Sequence, residues 1–568
     1  MAIPLLPADD PRGSARQTQV DKAREDYNYD FSNGGILFAE EVPKSDALDF
    51  RYIAKVGEIE LQLTANRVAS KLALEKESLE LNRAEKSEST GITTNTGRAR
   101  SLKSYDHAIC ALPTPHASGV WNDDAIFGWQ RVAGENAHMI WGVSSIPNHF
   151  PVTEDHFLQA MGGRAEDDSL EAALADGRVF LADYARLDGM RNNTAGGVQH
   201  FSYAPMGLFC VEKTHGRRLM PVAIQTGQTP SAANPVFTPV DGRKWTLAKQ
   251  CYQSADMIIH GQVYHFGYCH VLLEAMILSS KRTLAANHPI LVLLEPHYQY
   301  TLGANDAAKS QLVAPGGYID RLLGASLEDT NQLMLEATRS LSWKDLVPAS
   351  EFEAQGTGDT DRLPIYPWRD DGLLSWPVLK DFVGGYLRLY YTSDAAVAQD
   401  TELARWLTEI GSADGAKLPK FCKSSEIQTV DALITLITGI IYRGTVYHAG
   451  INYAAFDWQS LAPCKTGSGY AMAPGPQTVD HDDSLRAMMP SLDLVDMASI
   501  LLMQQREIRL TRLLYYGKHF IDPRVAPILK TAQNGLTAID ETIAARNLRR
   551  PLDYSYVAPR NVPQSIMV

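Results

Sequence analysis

The chain has 568 residues, of which 45% are apolar and 21% charged, a composition typical of a folded, water-soluble protein. Its 41 glycines and 30 prolines are ordinary in number and exclude a collagen-like or low-complexity chain. Lysine and arginine total 53 against 66 aspartates and glutamates, so the formal net charge is −13, which argues against nucleic acid as a partner.

Residues 1–115 are predicted to form an arm followed by a helical extension. Residues 1–45 show no sustained periodicity and are interpreted as the arm. Apolar residues recur at helical spacing over residues 46–86 and predict a helix. Residues 87–100 are rich in Ser, Thr and Gly and predict a linker. We expect no secretory signal, because the N-terminus lacks a basic start followed by a long apolar run.

Residues 116–568 contain no comparable break and no internal repeat, so one large domain is predicted. Strand patterns cover residues 179–187 and 201–225, and the second is expected to fold as a hairpin around residues 214–217. Helices are predicted over residues 249–284, 401–410, 426–456, 492–514 and 523–547. The expected fold class is therefore mainly α with a small β-hairpin piece.

Two further patterns bear on where the protein works. The most apolar run, residues 432–442, is well short of the ~20 residues that a membrane-spanning helix needs, so a buried core helix is predicted. The six cysteines form no CxxC pair. Sparse cysteines of this kind predict free thiols in a reducing compartment, and we expect a cytoplasmic protein.

Histidines repeat within the helix predicted over residues 249–284. His260, His265 and His270 follow one another at intervals of five residues. In a regular α-helix, residues five apart point about 140° away from each other. Two of these histidines could share a metal only if the turn between them were widened, as a π-type bulge does. The alternative is three ordinary helix histidines, satisfied by hydrogen bonds in the core.

A second pair of polar residues lies on another strongly apolar helix. His448 and Asn452 are four residues apart and share a face. A hydrogen bond between them in the core would explain both without a metal. The pair could also add an imidazole and an amide oxygen to a site built by the earlier histidines. Such a set of ligands suits iron, manganese or zinc, and open positions favour non-haem iron.

These residues belong to a series of motifs that resembles the catalytic domain of the lipoxygenases. The resemblance covers roughly residues 116–568 and keeps the order of the family. Its segments are FGWQRVAG (127–134), FLADYARLDGM (180–190), WTLAK (245–249), SADMIIHGQVYHFGYCHVLLE (254–274), NHPILVLLEPHYQYTLGAN (287–305), YPWRDDGLLSW (366–376), Tyr390 with Tyr391, HAGIN (448–452) and the terminal YVAPRNVPQSIMV. One such motif is weak, but so many in order are specific. The resemblance implies a large, single helical catalytic domain.

The resemblance also implies non-haem iron, Fe2+ or Fe3+, as the cofactor. The ligands would be His265, His270, His448, Asn452 and the C-terminal carboxylate of Val568. The family commonly ends in Ile, but the ligand is the main-chain carboxylate, so Val568 should serve equally well. His260 is then not a ligand. Ala455 is a departure, because many members carry a glutamine there, and it puts the hydrogen bonds around the metal in question.

The substrate implied by the resemblance is a polyunsaturated fatty acid with a 1,4-pentadiene unit, such as linoleate. Dioxygen would be inserted to give a hydroperoxide, and no catalytic group is expected beyond an iron-bound hydroxide. Leu312 and Leu502 match leucines that clamp the reacting carbons. Ala308 matches a position where Ala accompanies S products and Gly accompanies R products. All three residues could equally be plain helix core. Arg131 is one candidate for binding the substrate carboxylate.

Three functions remain open, in this order. The first is a fatty-acid dioxygenase, the second a hydroperoxide isomerase of the same fold, and the third an inert lipid-binding helical protein. Many eukaryotic lipoxygenases carry an N-terminal β-barrel that docks on membranes, but residues 1–115 do not predict one. The chain therefore resembles a short bacterial or cyanobacterial-type member. We expect its helical extension to cap the domain or to contact lipid, as a peripheral membrane contact.

Overall fold

The computed structural model describes residues 3–88, 99–162, 167–214 and 216–568. The α-helices before residue 300 are Gly13–Asp26, Phe50–Glu88, Lys103–Ala108, Asp124–Ala133, Glu154–Met161, Leu170–Ala175, Arg243–Ile259, Leu272–Thr283 and Pro289–Leu294. Those after it are Thr301–Gln311, Tyr318–Leu322, Leu327–Ser340, Pro348–Ala354, Pro367–Leu387, Asp394–Ala398, Thr401–Gly411, Val430–Tyr442, His448–Asn452, Ala455–Gln459, Asp482–Ala487, Leu492–Glu507 and Val525–Asn547. Two further segments, His260–Val271 and Arg443–Tyr447, are π-helical.

Two long helices cross in the core and carry the histidines. The first central helix (residues 243–283) changes from α to π geometry over His260–Val271 and then back to α. The widened turn that a shared metal site requires is therefore present. The second central helix (residues 430–452) has a π-helical turn directly before His448. Both helices are buried along most of their length. The second is strongly apolar, whereas the first also buries polar side chains such as Gln253, Asp256 and Glu274, which hydrogen-bond inside the core.

A glycine lets a third helix lie directly on the π-helical turn. A Cβ atom at Gly267 would be 2.8 Å from Thr338 Oγ1 and 3.3 Å from Met334 Cγ. Both neighbours belong to the helix Leu327–Ser340. A side chain at residue 267 would push this helix away, because protein interiors are close-packed.

The small β piece is a five-stranded antiparallel sheet. Its strands lie in the order Trp141–Gly142, Val179–Asp183, Met206–Val211, Leu219–Gln225 and Val236–Phe237. Two-residue strands also pair Tyr29–Asp30 with Phe38–Ala39 and Thr194–Ala195 with Val198–Gln199. The predicted hairpin is confirmed, because Met206 pairs with Gln225 and Val211 with Leu219. The strand predicted over residues 179–187 is shorter and ends at Asp183, after which the chain forms a 3₁₀ turn.

The N-terminal residues depart from the predicted arm, since they pack into the body of the protein. Helix Gly13–Asp26 buries Arg16, whose Nε lies 2.6 Å from Oε1 of Glu402. Residues 36–39 are at most 3% exposed. Their partners lie hundreds of residues away along the chain, so no local periodicity marks them. The following helix, Phe50–Glu88, confirms the prediction over residues 46–86.

Most of the predicted linker, residues 89–98, lies outside the described residues. The division of the chain at residue 116 stays a prediction. The helix predicted over residues 492–514 ends at Glu507. Beyond it the Leu513 N–H donates to Val562 O at 2.9 Å, so this stretch bonds to the C-terminal tail instead of continuing the helix.

The most apolar helix is a core helix, as predicted. Residues Val430–Gln459 are long and apolar enough to cross a bilayer, but 83% of the most apolar window is buried inside the fold. Its neighbours on several sides are other helices, so its apolar surface is already covered.

Candidate metal centre and apolar cavity

Three histidines from the two central helices converge in the core. His265 Nε2 lies 3.2 Å from His270 Nε2 and 3.2 Å from His448 Nε2. All three side chains are buried, and their ligating nitrogens lie within 4.8 Å of one another. Two nitrogens about 2.1 Å from one ion, at a right angle, would be about 3 Å apart. The spacing therefore fits a shared transition-metal ion, and the predicted histidines are brought together.

Burial keeps these imidazoles neutral. It lowers the pKa of His265 and of His448 well below the usual value, and neighbouring imidazoles lower both further. It lowers the pKa of His270 to about 4, although the hydrogen bond to Asn305 opposes the shift. A neutral imidazole that is protonated on one nitrogen offers the lone pair of the other to a metal. No proton has to leave the cluster before a cation binds near neutral pH.

Asn452 adds an amide oxygen beside the histidines. Its Nδ2 donates to the main-chain oxygen of Gln505 at 3.0 Å, which fixes how the amide is turned. Its Oδ1 is buried and accepts no hydrogen bond from any residue that the structure describes. A buried oxygen without a partner is costly, and a cation would satisfy it. Ala455 is fully buried and offers no side-chain hydrogen bond, and the main chain at Gln505 is the partner of the Asn452 amide.

The C-terminal tail brings the chain end to the same place. Val568 lines the same cavity as His265 and His270, and its main chain opposes the lowering of the pKa of His448. Ile566 and Met567 are fully buried just before it. Hydrogen bonds hold the tail on both sides: His297 Nδ1 lies 2.7 Å from Gln564 O, and Thr301 Oγ1 donates to Ile566 O at 3.1 Å. His297 thus anchors the segment that carries the terminal carboxylate.

His260 faces a buried polar network and is not part of the histidine cluster. Its Nδ1 lies 3.2 Å from Gln459 Nε2, and its Nε2 lies 3.3 Å from Ile451 O. Gln459 in turn reaches Glu135, which pairs with Lys465 at 2.6 Å. Burial lowers the pKa of His260 to about 4, so this ring is also neutral. It therefore links the first central helix to the second.

An apolar cavity opens onto His265 and His270, two of the three clustered histidines. Its apolar lining is Met257, Phe266, Ala304, Ala307, Ala308, Leu312, Ile319, Leu322, Leu323, Ala498, Leu501 and Leu502, and its polar lining is Tyr52, His260, Gln262, His265, His270, Gln311, Tyr318, Gln459, Gln504 and Gln505. Val568 lines it too. Within the described ranges, no Asp, Glu, Lys or Arg lines this cavity. It therefore suits a long apolar chain with little charge.

The three predicted channel residues all line this cavity. Ala308 and Leu312 lie near the end of helix Thr301–Gln311, and Leu502 lies on helix Leu492–Glu507, so they approach the cavity from two elements. Asn452 is adjacent through Gln505, which also lines the cavity. The structure thus places these residues beside the histidines.

Arg131 does not line the cavity, and its candidacy for the substrate carboxylate is wrong. Its side chain is 1% exposed, and its Nη1 lies 3.0 Å from Asp256 Oδ2. Its Nη2 donates to Gln253 Oε1 at 2.9 Å. The guanidinium is neutralised inside the core by a buried carboxylate and is closed off from any ligand.

Sequence reasoning missed several residues around the cluster. Asn305 Oδ1 lies 2.8 Å from His270 Nδ1, and Asn305 Nδ2 donates to Glu274 Oε2 at 2.6 Å. Tyr52 of the N-terminal extension lines the cavity. The signal for Glu274 was a single acid within the apolar run VLLEAMIL, because a carboxyl group in such a run must find buried partners.

Comparisons with known proteins agree with this geometry. A sequence model of the lipoxygenase family matches residues 70–502. The chain is 32% identical over 512 residues to a linoleate 9/13-lipoxygenase of Pseudomonas aeruginosa, covering 84% of this chain and 71% of that protein. It is 30% identical over 462 residues to a human hydroperoxide isomerase, covering 80% and 63% of the two chains. A lipoxygenase crystallised anaerobically with arachidonate superposes with a TM-score of 0.86 at 22% identity, over 100% of this chain and 84% of the other.

The chain belongs to the lipoxygenase family. It is accordingly an enzyme, an oxidoreductase of the fatty-acid dioxygenase class. The helical fold agrees with the predicted lipoxygenase-like catalytic domain. Members of this family generally depend on non-haem iron, and the histidine cluster could hold a metal ion.

Proposed function

We propose that this protein binds iron through His265, His270, His448, Asn452 and the terminal carboxylate of Val568, and that it dioxygenates polyunsaturated fatty acids. The observation that carries the proposal is the convergence of three neutral imidazoles, two of which line an apolar cavity that the chain-terminal residue Val568 also lines. Nitrogen and oxygen donors of this kind suit iron, and the carboxylate of the chain end would offset part of its charge.

Iron, when bound, would supply the one-electron oxidation and reduction that dioxygenation of a 1,4-diene requires. The remaining work falls to the cavity. Its aliphatic walls exclude water and hold the acyl chain by burial of apolar surface. Dioxygen, which is small and apolar, can share the same space. A C–H bond between two double bonds is far less acidic than any imidazolium, and burial makes these imidazoles weaker bases still, so the chemistry favours a metal-centred reaction over acid–base catalysis.

The cavity residues would position the diene. Leu312 and Leu502 would flank the reacting carbons, because they enter the same cavity from two helices. Ala308 would decide the face that dioxygen attacks. If so, Ala308→Gly shifts product chirality from S toward R, which chiral chromatography of the reduced products measures. Unchanged product chirality would show that Ala308 lines the cavity without deciding the face of attack.

The substrate carboxylate would stay at the mouth of the cavity. Among the described residues that line the cavity, none is cationic, so burying a carboxylate there would leave it unpaired. The acyl tail therefore leads toward the iron, or the acid is held in a neutral, esterified form.

The test uses protein with an untagged C-terminus. Bound iron is quantified, and dioxygen uptake and conjugated-diene absorbance are followed with linoleic acid. Near-stoichiometric iron with both signals supports the dioxygenase, and His265→Ala should abolish both. Iron without dioxygen uptake would favour a hydroperoxide isomerase, the activity for which the human relative is named. A lipid hydroperoxide would then be the test substrate. Failure to bind iron after reconstitution would overturn both readings.

We further propose a peripheral contact between this protein and lipid membranes through helix Phe50–Glu88. One face of this helix is apolar and open to solvent: Phe50 is 82%, Ile53 61%, Leu61 74%, Val68 60%, Leu72 63% and Leu79 60% exposed. Their spacing puts them on one side of the helix. The opposite face carries Tyr52, Ile59 and Leu63, all buried, and Tyr52 lines the cavity. A membrane at this face would lie next to the site that takes the acyl chain.

A further inference from the structure

Four residues near the N-terminus, Ile36 to Ala39, lie close to His270. They are at most 3% exposed. This stretch belongs to a small two-stranded sheet in which Tyr29–Asp30 pairs with Phe38–Ala39. It contributes no side chain that could bind a metal. Two separate chains of contact nevertheless join it to His270.

The first chain consists of hydrogen bonds. The Ala39 N–H donates to Glu274 Oε1 at 2.7 Å, and Asn305 Nδ2 donates to Glu274 Oε2 at 2.6 Å. Asn305 Oδ1 then lies 2.8 Å from His270 Nδ1. Glu274 and Asn305 are each 1% exposed, so water does not compete for these partners.

These contacts decide which nitrogen of His270 carries the proton. Asn305 Nδ2 faces two acceptors, Glu274 Oε2 and the main-chain oxygen of His270 at 3.2 Å. The amide must therefore point its Oδ1 at the ring, because amide nitrogen only donates. An oxygen can only accept, so His270 Nδ1 carries the proton. The lone pair is left on Nε2, the nitrogen that faces the other two histidines.

The second chain consists of aromatic rings. The Phe38 ring lies 6.3 Å from Phe266, and Phe266 stacks on His270 with ring centroids 5.5 Å apart and an interplanar angle of 26°. The imidazole is thus held on one face by Phe266 and at Nδ1 by Asn305. The N-terminal segment supports both contacts from behind.

We propose that Glu274, seated on the main chain of Ala39, is a positioning residue that acts through Asn305 to set the tautomer and orientation of His270. The proposal rests on the proposed function in one respect, since it takes His270 to be a metal ligand. The competing view is that Glu274 only anchors the N-terminal segment. Glu402 offers a matched case: it is 3% exposed, accepts from the Ala285 N–H at 2.9 Å and pairs with Arg16, but contacts no histidine of the cluster.

The deciding experiment measures Fe2+ affinity by chelator competition under anaerobic conditions. Glu274→Gln keeps the volume but places an N–H2 group against donors, so Asn305 loses an acceptor or turns its amide. We expect Fe2+ to bind about 10- to 100-fold more weakly in Glu274→Gln and in Asn305→Leu. Glu402→Gln should lower the thermal stability of the metal-free protein comparably and leave iron affinity unchanged.

A double variant shows whether Glu274 acts through Asn305. In the Asn305→Leu background, Glu274→Gln should weaken iron binding no further. The proposal is overturned if Glu274→Gln binds iron as tightly as the wild type, or if the two losses simply multiply. Failure of the wild type itself to bind iron would instead contradict the proposed function, so the two failures are distinct.

A metal-free measurement keeps the proposal open to refutation if Glu274→Gln does not fold. Nitrogen-15 NMR of histidine-labelled apoprotein reports the tautomer, and His270→Gln identifies the resonance. We expect the Nδ1–H form in the wild type and its loss in Asn305→Leu. An Nε2–H form in the wild type would overturn the proposal.

Discussion

Both ends of the chain reach the same three histidines, but they do so differently. At the C-terminus, the tail is buried and held by hydrogen bonds from His297 and Thr301, and Val568 itself lines the cavity beside His265 and His270. At the N-terminus, residues 36–39 contact no ligand directly, and their influence passes through Glu274 and Asn305 to His270. The first end can supply a donor atom, whereas the second can only hold one in place.

This difference shows which residues of a metal site a sequence motif can identify: the ligands, but not the residues that support them. A ligand must have a particular chemical group at a particular position, so it leaves a recognisable pattern. A supporting segment needs only a main-chain N–H, which almost any residue provides, and a buried aromatic ring, which Phe38 provides here. The link from Ala39 to Glu274 spans 235 residues and leaves no local pattern at all.

The largest effect is expected at the C-terminus. Deleting Val568, or adding residues after it, moves the terminal carboxylate away from the histidines. We expect dioxygenation to become undetectable. The affinity for iron should fall by more than about 100-fold, which is the upper range for losing a residue that only hydrogen-bonds to a ligand. Iron content and dioxygen uptake measure this. The same tag at the N-terminus is the control, and a fully active C-terminally tagged enzyme would remove Val568 from the proposed ligands.

The next effect is expected from truncation at the N-terminus. Removing residues 1–48 deletes the Ala39 N–H that donates to Glu274 and exposes the residues that pack on Phe38. Loss of the buried Phe38 side chain alone should destabilise the fold by about 3–5 kcal/mol. Iron occupancy after purification should fall. Removing only residues 1–27 retains both Ile36–Ala39 and its partner strand Tyr29–Asp30, and is the matched control. Equal iron occupancy in the two truncated proteins would contradict a role for this segment.

A smaller effect concerns how the tail is anchored. Burial lowers the pKa of His297 to about 4, below the ~6.5 of an unfolded histidine. The neutral ring therefore stabilises the fold fully above about pH 6.5, and this contribution is lost as pH falls toward 4, by up to about 3 kcal/mol. His297→Gln should flatten the dependence of melting temperature on pH in this window. The exposed His481→Gln is the control, and an unchanged pH profile in His297→Gln would contradict the assignment.

The smallest effect on catalysis is expected at the apolar face of helix Phe50–Glu88. Leu61→Gln combined with Leu72→Gln should weaken binding to phosphatidylcholine vesicles about tenfold or more, because a buried leucine contributes about 1.5–3 kcal/mol. Activity on dispersed linoleic acid should stay the same. Val240→Gln changes a residue that is 62% exposed elsewhere and should leave vesicle binding intact. If the wild type self-associates and the two substitutions abolish this, the apolar face is a dimer surface instead.

Part of the site could be predicted because its signals are local. The five-residue spacing of His265 and His270 implied a widened turn if a metal was shared, and that turn is π-helical. His448 and Asn452 share a face on a second helix, as the spacing requires. The helix over residues 46–86 and the hairpin around residues 214–217 likewise followed from periodicity, and both are present.

Other features could not be predicted because their partners are distant. The helix predicted to continue to residue 514 ends at Glu507, since the next residues bond to the tail near Val562. Arg131 looked available to a substrate but is paired with Asp256 inside the core. The arm predicted for residues 1–45 packs against the rest of the protein. Its partners, such as Glu402 for Arg16, lie far away in the sequence and give no local signal.

The sequence identified the spaced histidines, the His–Asn pair and the apolar runs around them, and its resemblance to the lipoxygenases added the carboxylate at Val568. Side-chain chemistry and helical period are properties of neighbouring residues, so they can be predicted from the sequence. The tertiary structure alone decided that Glu274 and Asn305 orient His270, and that the N-terminal segment supports them. Those relations arise only when chain segments far apart are packed together, where burial makes each hydrogen bond count.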